Sequence, residues 1–214
     1  MATEAAEKGA RTGPRLEAIV LAAGAGQRFG GAKLTTPWRG GKLLDGALAA
    51  AFAAPVWRVT VVTGADPAVE GAVRVWADPR GVADRLSLVH ARDHEEGMGA
   101  SLRAGIAALA EDCAGVFVFL GDMPLIPASV PPRLVAALNS GPLAAAPIFN
   151  GRRGHPVLFA SALFPDLARA EGDAGARTVL AGLGPRVALV DVADPGVIFD
   201  VDTPGDLAPG VNPP

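Results

Sequence analysis

Leu21-Ala22-Ala23-Gly24-Ala25-Gly26-Gln27-Arg28-Phe29-Gly30-Gly31-Ala32-Lys33 directly follows an apolar run at residues 16–20. The run reads as a buried strand, and the stretch after it as a tight turn leaving the strand's carboxyl end. Gly24, Gly26, Gly30 and Gly31 permit positive φ and a close backbone approach to a ligand. Successive unpaired N–H groups in such a turn favour an anion, and Arg28 and Lys33 add two cations. Two familiar phosphate loops do not fit. A Walker A loop needs GK[ST], whereas Lys33 stands between Ala32 and Leu34; a dinucleotide fingerprint needs a third glycine where Phe29 stands. What remains is GxGxRFGxxK after a strand, a polyphosphate cradle. The structural alternative is a glycine-rich turn carrying two solvated cations.

The segment resembles the signature of the nucleotidyltransferases that activate sugars and cofactors with a nucleoside triphosphate. Within the MobA-like NTP transferases it is most similar to the molybdenum cofactor cytidylyltransferase branch. Leu21-Ala22-Ala23-Gly24, with Ala32 before Lys33, resembles that branch, where the guanylyltransferase sister branch reads LAGG with Asp before the lysine. The resemblance spans residues 16–208. It implies a three-layer α/β/α Rossmann-like nucleotidyltransferase fold with a mostly parallel sheet. Leu21, Ala22, Ala23, Gly24, Gly26, Arg28 and Lys33 would bind the nucleotide, with Thr63 and Gly64 at the end of the second strand helping to choose the base.

The chain outside the cradle supports an α/β reading. Residues 16–21, 58–62, 86–90 and 116–120 read as short apolar strands, and residues 43–54, 67–76, 99–111 and 128–139 as the helices between or after them. Strands apolar on both faces that alternate with helices indicate a parallel sheet covered on both sides. After Gly141 the rhythm changes. Residues 143–148 and 156–159 read as strands joined by the polar loop 150–155, residues 161–170 and 177–183 as helices, and residues 186–191 and 197–200 as strands. No internal repeat or long linker divides the chain. We expect one domain over residues 16–208, with a nucleotide-binding half at 16–140 and an acceptor-binding half at 141–208. Residues 1–15 are charged, lack the apolar core of a secretory signal, and read as a disordered tail.

The other motifs carry acids and acceptor contacts. Gly121-Asp122-Met123-Pro124 sets a carboxylate just past an apolar strand, where open α/β sheets bind ligands, with Gly121 leaving room for a nucleotide. Asp122 is a candidate ligand for Mg²⁺, the alternative being a turn residue bonding its own loop. In Asp200-Val201-Asp202-Thr203-Pro204-Gly205-Asp206-Leu207 the first two acids share one side of an extended segment. Asp202 could instead cap a helix that begins at Pro204. The resemblance makes Asp202, with Asp200 in reserve, the second Mg²⁺ ligand. It also assigns the acceptor to Ser101 in Gly99-Ala100-Ser101-Leu102-Arg103, to His155 in Arg153-Gly154-His155-Pro156-Val157-Leu158-Phe159, and to Asp173 and Arg177 in Gly172-Asp173-Ala174-Gly175-Ala176-Arg177.

Composition narrows the partners. The 214 residues carry a formal charge of −3, so no basic field suggests nucleic acid. Residues 47–56 are too few to span a bilayer and contain Pro55. The single Cys113 excludes an intrachain disulfide, fits a reducing cytoplasm and reads as a small core residue. Taken together, the resemblance implies transfer of CMP from CTP to the terminal phosphate of molybdopterin or its molybdenum-loaded form, releasing pyrophosphate. Lys33, Arg28 and Asp122 would be catalytic, Mg²⁺ the cofactor, the protein a monomer, and a molybdenum hydroxylase the recipient of the product. The alternatives are a guanylyltransferase or sugar-1-phosphate nucleotidyltransferase, a non-catalytic cofactor carrier, and a redox enzyme that has borrowed the fold.

Overall fold

A computed structural model describes residues 14–207. Most of the expected tail, residues 1–13, therefore lies outside the described residues. In chain order the elements are β1 (Leu16–Ala22), β2 (Pro37–Trp38), β3 (Gly41–Lys42), α1 (Leu43–Ala53), β4 (Arg58–Thr63), α2 (Ala68–Ala77), β5 (Leu86–His90), α3 (Met98–Ala107), β6 (Gly115–Leu120), α4 (Val130–Leu138), β7 (Ala144–Phe149), β8 (Arg152–Arg153), β9 (Val157–Ala160), α5 (Phe164–Leu167), α6 (Arg177–Leu183) and β10 (Val187–Asp191).

One eight-stranded sheet runs β10-β7-β9-β6-β1-β4-β5, with β8 paired to β7; β2 and β3 form a separate hairpin. β1 pairs in parallel with β4 on one side and β6 on the other, β4 with β5, and β7 with β10. β9 runs against both β6 and β7, so the sheet is mixed but mostly parallel. The chain steps outward from β1 to β4 and β5, then returns to the far side of β1 as β6. That reversal opens a crevice beyond the carboxyl ends of β1 and β6.

Alternating residues in the central strands build two cores. Ala18, Val20, Val59, Val61, Phe117 and Phe119 pack with Leu44, Leu48, Val73 and Leu134 of α1, α2 and α4. Ile19, Val62, Val116 and Val118 face the other way, toward Leu102, Ile106, Leu167, Leu180 and Leu183 of α3, α5 and α6. The result is helices, sheet and helices in three layers. Among the described residues no helix is long and apolar enough to cross a membrane. Cys113 is buried beside the start of β6, where burial raises its thiol pKa to about 11.

The structure departs from the sequence reading at particular places. Residues 197–200 are not a strand. Pro195–Ile198 forms a 3₁₀ turn capped by Asp194, whose Oδ1 accepts from Gly196 N at 2.8 Å. The backbone bonds that follow join loops: His155 N donates to Val197 O, and Val201 N donates to Asp122 O. The apolar pattern there reflects a buried plug of Val197, Ile198, Phe199 and Val201. The expected helix at 161–170 breaks into a 3₁₀ turn, Ser161–Leu163, and the four-residue α5, restarted at Pro165. α3 stops at Ala107, after which Ala110 N donates to the buried Glu17 carboxylate at 3.3 Å. Residues 150–155 are not a plain loop: Asn150 and Gly151 take φ of 47° and 77° and fold β8 back on β7.

α1 lies close to the loop after β6. A Cβ on Gly46 would stand 2.2 Å from the Pro124 carbonyl oxygen, whereas one on Gly71 in α2 would meet nothing within 4 Å. Gly46→Ala should therefore destabilise the fold by about 1–3 kcal/mol through forced repacking. Gly71→Ala should stabilise it by about 0.5–1 kcal/mol through its helix preference. Urea unfolding midpoints of the two variants check both signs.

Candidate active site

The cradle begins where β1 ends at Ala22. Gly26, Gly30, Gly31 and Ala32 have positive φ of 58°, 91°, 96° and 47°; Gly24 is not among the positive-φ glycines, contrary to the expectation from sequence. Its missing side chain matters for space instead, since a Cβ there would meet nothing within 4 Å and Gly24 lines a large cavity. Phe29, Gly30 and Gly31 donate their N–H groups to the carbonyls of Gly26 and Gln27, closing the turn internally. The N–H groups of residues 24–28 are not among these internal donors. A glycine-rich loop with unpaired N–H groups suits an anion.

This larger cavity has a volume of about 930 Å³. Leu21, Ala22, Ala23, Gly24, Gly26, Lys33 and Asp122 are among the residues that line it, whereas Arg28, expected beside them, is not. The opposite wall consists of Ala65, His94, Glu95 and Gly97, none of which the sequence singled out as site residues. Thr63 and Gly64 stand behind that wall. The Thr63 side chain is buried and donates to Val89 O at 3.4 Å. A Cβ on Gly64 would come within 2.7 Å of Ala23 and 2.9 Å of His94, so Gly64 lets these two residues close up. Gly121 likewise packs against protein, its N–H bonded to Leu21 O at 2.9 Å, and does not open space for a ligand.

An ion cluster joins the cradle to the acidic segments. Lys33 Nζ donates to Asp122 Oδ2 at 2.8 Å and to Asp202 Oδ1 at 3.4 Å, while Arg28 Nη1 reaches Asp202 Oδ2 at 3.5 Å. The Lys33 side chain is 12% exposed and that of Arg28 83%, so Lys33 carries the buried charge and Arg28 works at the rim. Asp202 does not cap the final turn, Pro204–Leu207. Asp206 does that by accepting from Asp202 N, Thr203 N and Thr203 Oγ1 at 3.0, 2.7 and 2.9 Å. Those bonds hold the Asp206 carboxyl below its ordinary pKa. Asp200 is pushed up by burial and by the nearby charges of Asp202 and Asp122.

Asp122 and Asp202 thus share one ammonium, with the Asp200 carboxyl near enough to feel their charges, an environment that suits a cation. The donors are hard oxygens, and the ammonium already stands in as a positive charge between Asp122 and Asp202. Among the described residues no three His, Cys, Asp or Glu side chains form a metal cage. A divalent ion here would draw on one or two carboxylates and complete its shell with phosphate and water, which is the habit of Mg²⁺.

A smaller cavity of about 330 Å³ adjoins the first. Leu21, Met98 and Leu120 line both cavities, and Leu21 pairs with Leu120 across the ends of β1 and β6. Leu102, Val118, Val157, Phe159 and Leu180 make much of the smaller cavity apolar; Arg152, Arg153, Arg177, His155 and Asp200 supply its charged and polar groups. Of the four residues expected to serve an acceptor, His155 and Arg177 lie here, while Ser101 and Asp173 line the larger cavity. Arg152 was missed; the Asn150-Gly151 turn before it was the available signal. His155 Nδ1 is buried with no hydrogen-bond partner. Burial lowers the His155 pKa to about 4, opposed by a backbone hydrogen bond with Val118 and reinforced by the charges of Arg177 and Arg153.

The model of the MobA-like NTP transferase domain matches residues 18–189. The nicotine blue oxidoreductase of Paenarthrobacter nicotinovorans is 33% identical over 198 residues, covering 89% of this chain and 93% of the relative. The molybdenum cofactor cytidylyltransferase of Escherichia coli is 26% identical over 195 residues, covering 90% and 93%. The crystal structure of Rv0371c from Mycobacterium tuberculosis superposes with a TM-score of 0.76 at 27% identity, covering 91% of this chain and 96% of that one.

A histidine whose pKa falls from 6.5 to about 4 on folding is protonated first in the unfolded chain as pH drops. Stability should therefore decline from pH 6.5 toward pH 4, and His155→Gln should lessen that decline. Urea unfolding of both proteins at pH 7 and pH 4.5 tests this; equal acid sensitivity would contradict it.

Proposed function

The chain belongs to the MobA-like NTP transferase family of nucleotidyltransferases, and from that premise we propose that it transfers CMP from CTP to the terminal phosphate of molybdopterin, or of its molybdenum-loaded form, with release of pyrophosphate. The observation that carries this reading is the meeting of two adjoining cavities at Leu21, Met98 and Leu120, with Lys33 and Asp122 on one side and Asp200 on the other. The larger cavity with its glycine-rich loop suits a nucleoside triphosphate. The smaller one sets apolar side chains beside Arg152, Arg153, His155 and Arg177, which suits a flat heteroaromatic ring system bearing an anion. The choice of CTP over GTP rests on the likeness of Leu21-Ala22-Ala23-Gly24 and Ala32 to the cytidylyltransferase branch.

In this reading the attacking group is a phosphate oxygen that is already anionic, so the protein supplies no strong base. Its task is to bring two polyanions together in line and to neutralise the charge that accumulates. The loop N–H groups and Lys33 would hold the triphosphate, with Arg28 at the rim beside the departing pyrophosphate. Arg177 and Arg153 would hold the acceptor phosphate at the mouth of the smaller cavity. Asp122 and Asp202, with Asp200 in reserve, would hold Mg²⁺, which when bound contributes Lewis acidity and positive charge at the α-phosphate. A carrier of finished cofactor would have no use for these carboxylates.

A second reading, an oxidoreductase on the same scaffold, is favoured by the name of the Paenarthrobacter relative. The absence of a dinucleotide fingerprint at Phe29 speaks against a nicotinamide cofactor in the cradle. Pyrophosphate release with molybdopterin, Mg²⁺ and each of CTP, GTP, ATP and UTP separates the readings. Release with CTP alone is expected, with Lys33→Ala and Asp122→Ala each lowering kcat/KM at least about 100-fold while remaining folded. Release with GTP would assign the guanylyltransferase reaction. No release with any nucleotide, together with oxidation of NADPH by an added quinone-type dye, would select the oxidoreductase. Full activity of either variant would remove that residue's role.

A further inference from the structure

The Lys33 ammonium bonds Asp122 at 2.8 Å and Asp202 at 3.4 Å. The same lysine lines the larger cavity, and its Cβ lies 3.0 Å from where a Gly26 Cβ would stand in the cradle. One charge cannot serve these carboxylates and a triphosphate in that cavity at full strength. We propose that Lys33 is a place-holding cation, one that keeps a divalent metal away from Asp122 and Asp202 until a triphosphate draws the ammonium off. Metal and nucleotide would then enter together, and metal alone would not bind. This inference rests on the reading of the site as a metal-dependent nucleotide site.

The reasoning is electrostatic. With Lys33 12% exposed, its charge is shielded from solvent and weakly screened by salt. A divalent ion arriving alone would sit beside this ammonium or force it off both carboxylates, leaving a partly buried charge unpaired, which is strongly unfavourable. Arg28 cannot take over, since it is 83% exposed and reaches only Asp202, at 3.5 Å. A triphosphate changes the balance because it offers the ammonium a richer anion along the loop already flanking the lysine stem. Lysine suits such a transfer: its charge is compact and its stem has four flexible carbons, whereas the planar guanidinium of arginine would favour staying on a carboxylate.

Binding of Mn²⁺ to the protein, read as the enhanced water-proton relaxation of protein-bound Mn²⁺ against a protein-free Mn²⁺ and CTP control, tests the inference without turnover. The wild-type protein should bind Mn²⁺ weakly alone and tightly when CTP is added. Lys33→Met should bind Mn²⁺ without CTP at least about tenfold more tightly than wild type, because the two carboxylates lose their resident cation. Tight Mn²⁺ binding by wild type without CTP would overturn the inference whatever any variant does. Equal CTP-free affinity in wild type and Lys33→Met, with binding still promoted by CTP, would remove the place-holding role while leaving the metal site. No Mn²⁺ binding by either protein, with or without CTP, would overturn the metal assignment itself and this inference with it.

Discussion

The ion cluster of Lys33 with Asp122 and Asp202 ties together segments 89 and 169 residues apart in sequence. No local interaction could bring them together; the sheet does. Placing β1 between β4 and β6 sets the cradle and the Asp122 turn side by side at the carboxyl ends of adjacent strands. The last segment then reaches the same place because Val201 N bonds to Asp122 O at 3.1 Å and Asp206 gathers the N–H groups of Asp202 and Thr203. Burial raises the stakes. Unit charges 4 Å apart interact by roughly 1 kcal/mol in bulk water but about 4 kcal/mol at an effective dielectric of about 20. A lysine this enclosed therefore needs its carboxylates, and the two carboxylates it bridges need a cation.

The arrangement also separates what the scaffold shares from what it can vary. The cradle and the ion cluster belong to strand ends in the middle of the sheet, braced by two cores. The smaller cavity takes part of its wall from β1, α3 and β6 and the rest from β8, β9, α6 and the 195–198 turn, which come later in the chain. Changes confined to the later elements can alter this cavity while leaving the residues shared with the larger one in place. Chains alike over nine-tenths of their length can thus carry names as different as an oxidoreductase and a cytidylyltransferase. Fold alone does not fix activity.

The central strands were readable in the sequence because each is apolar on both faces, the mark of a strand covered on both sides. The cradle and Asp122 were readable because their chemistry and their positions after β1 and β6 agree, whereas Asp202 follows an irregular segment. Elsewhere local pattern and tertiary role diverged. Val197, Ile198, Phe199 and Val201 form a short apolar run like a strand, yet they plug a core from an irregular segment that bonds to loops. Ser101 sits on the first turn of α3, so its placement follows from how that helix crosses the sheet, and it faces the larger cavity. His94 and Glu95 lie on a turn with no motif of its own, and only the close contact of Gly64 with Ala23 brings them to the wall. The β7–β8 hairpin was missed: Asn150-Gly151 is a strong turn signal, but the polar residues after it read as loop, not as strand.

The central claim is that the glycine-rich loop holds the triphosphate while the acids after β6 and near residue 202 act on its α-phosphate. A crystal structure with Mg²⁺ and a non-hydrolysable CTP analogue tests that claim most directly. The account predicts triphosphate oxygens on the N–H groups of residues 24–28, Lys33 Nζ on a phosphate oxygen, and the α-phosphorus facing the smaller cavity past Leu120. A triphosphate bound away from the loop, with Lys33 still bridging Asp122 and Asp202, would contradict it.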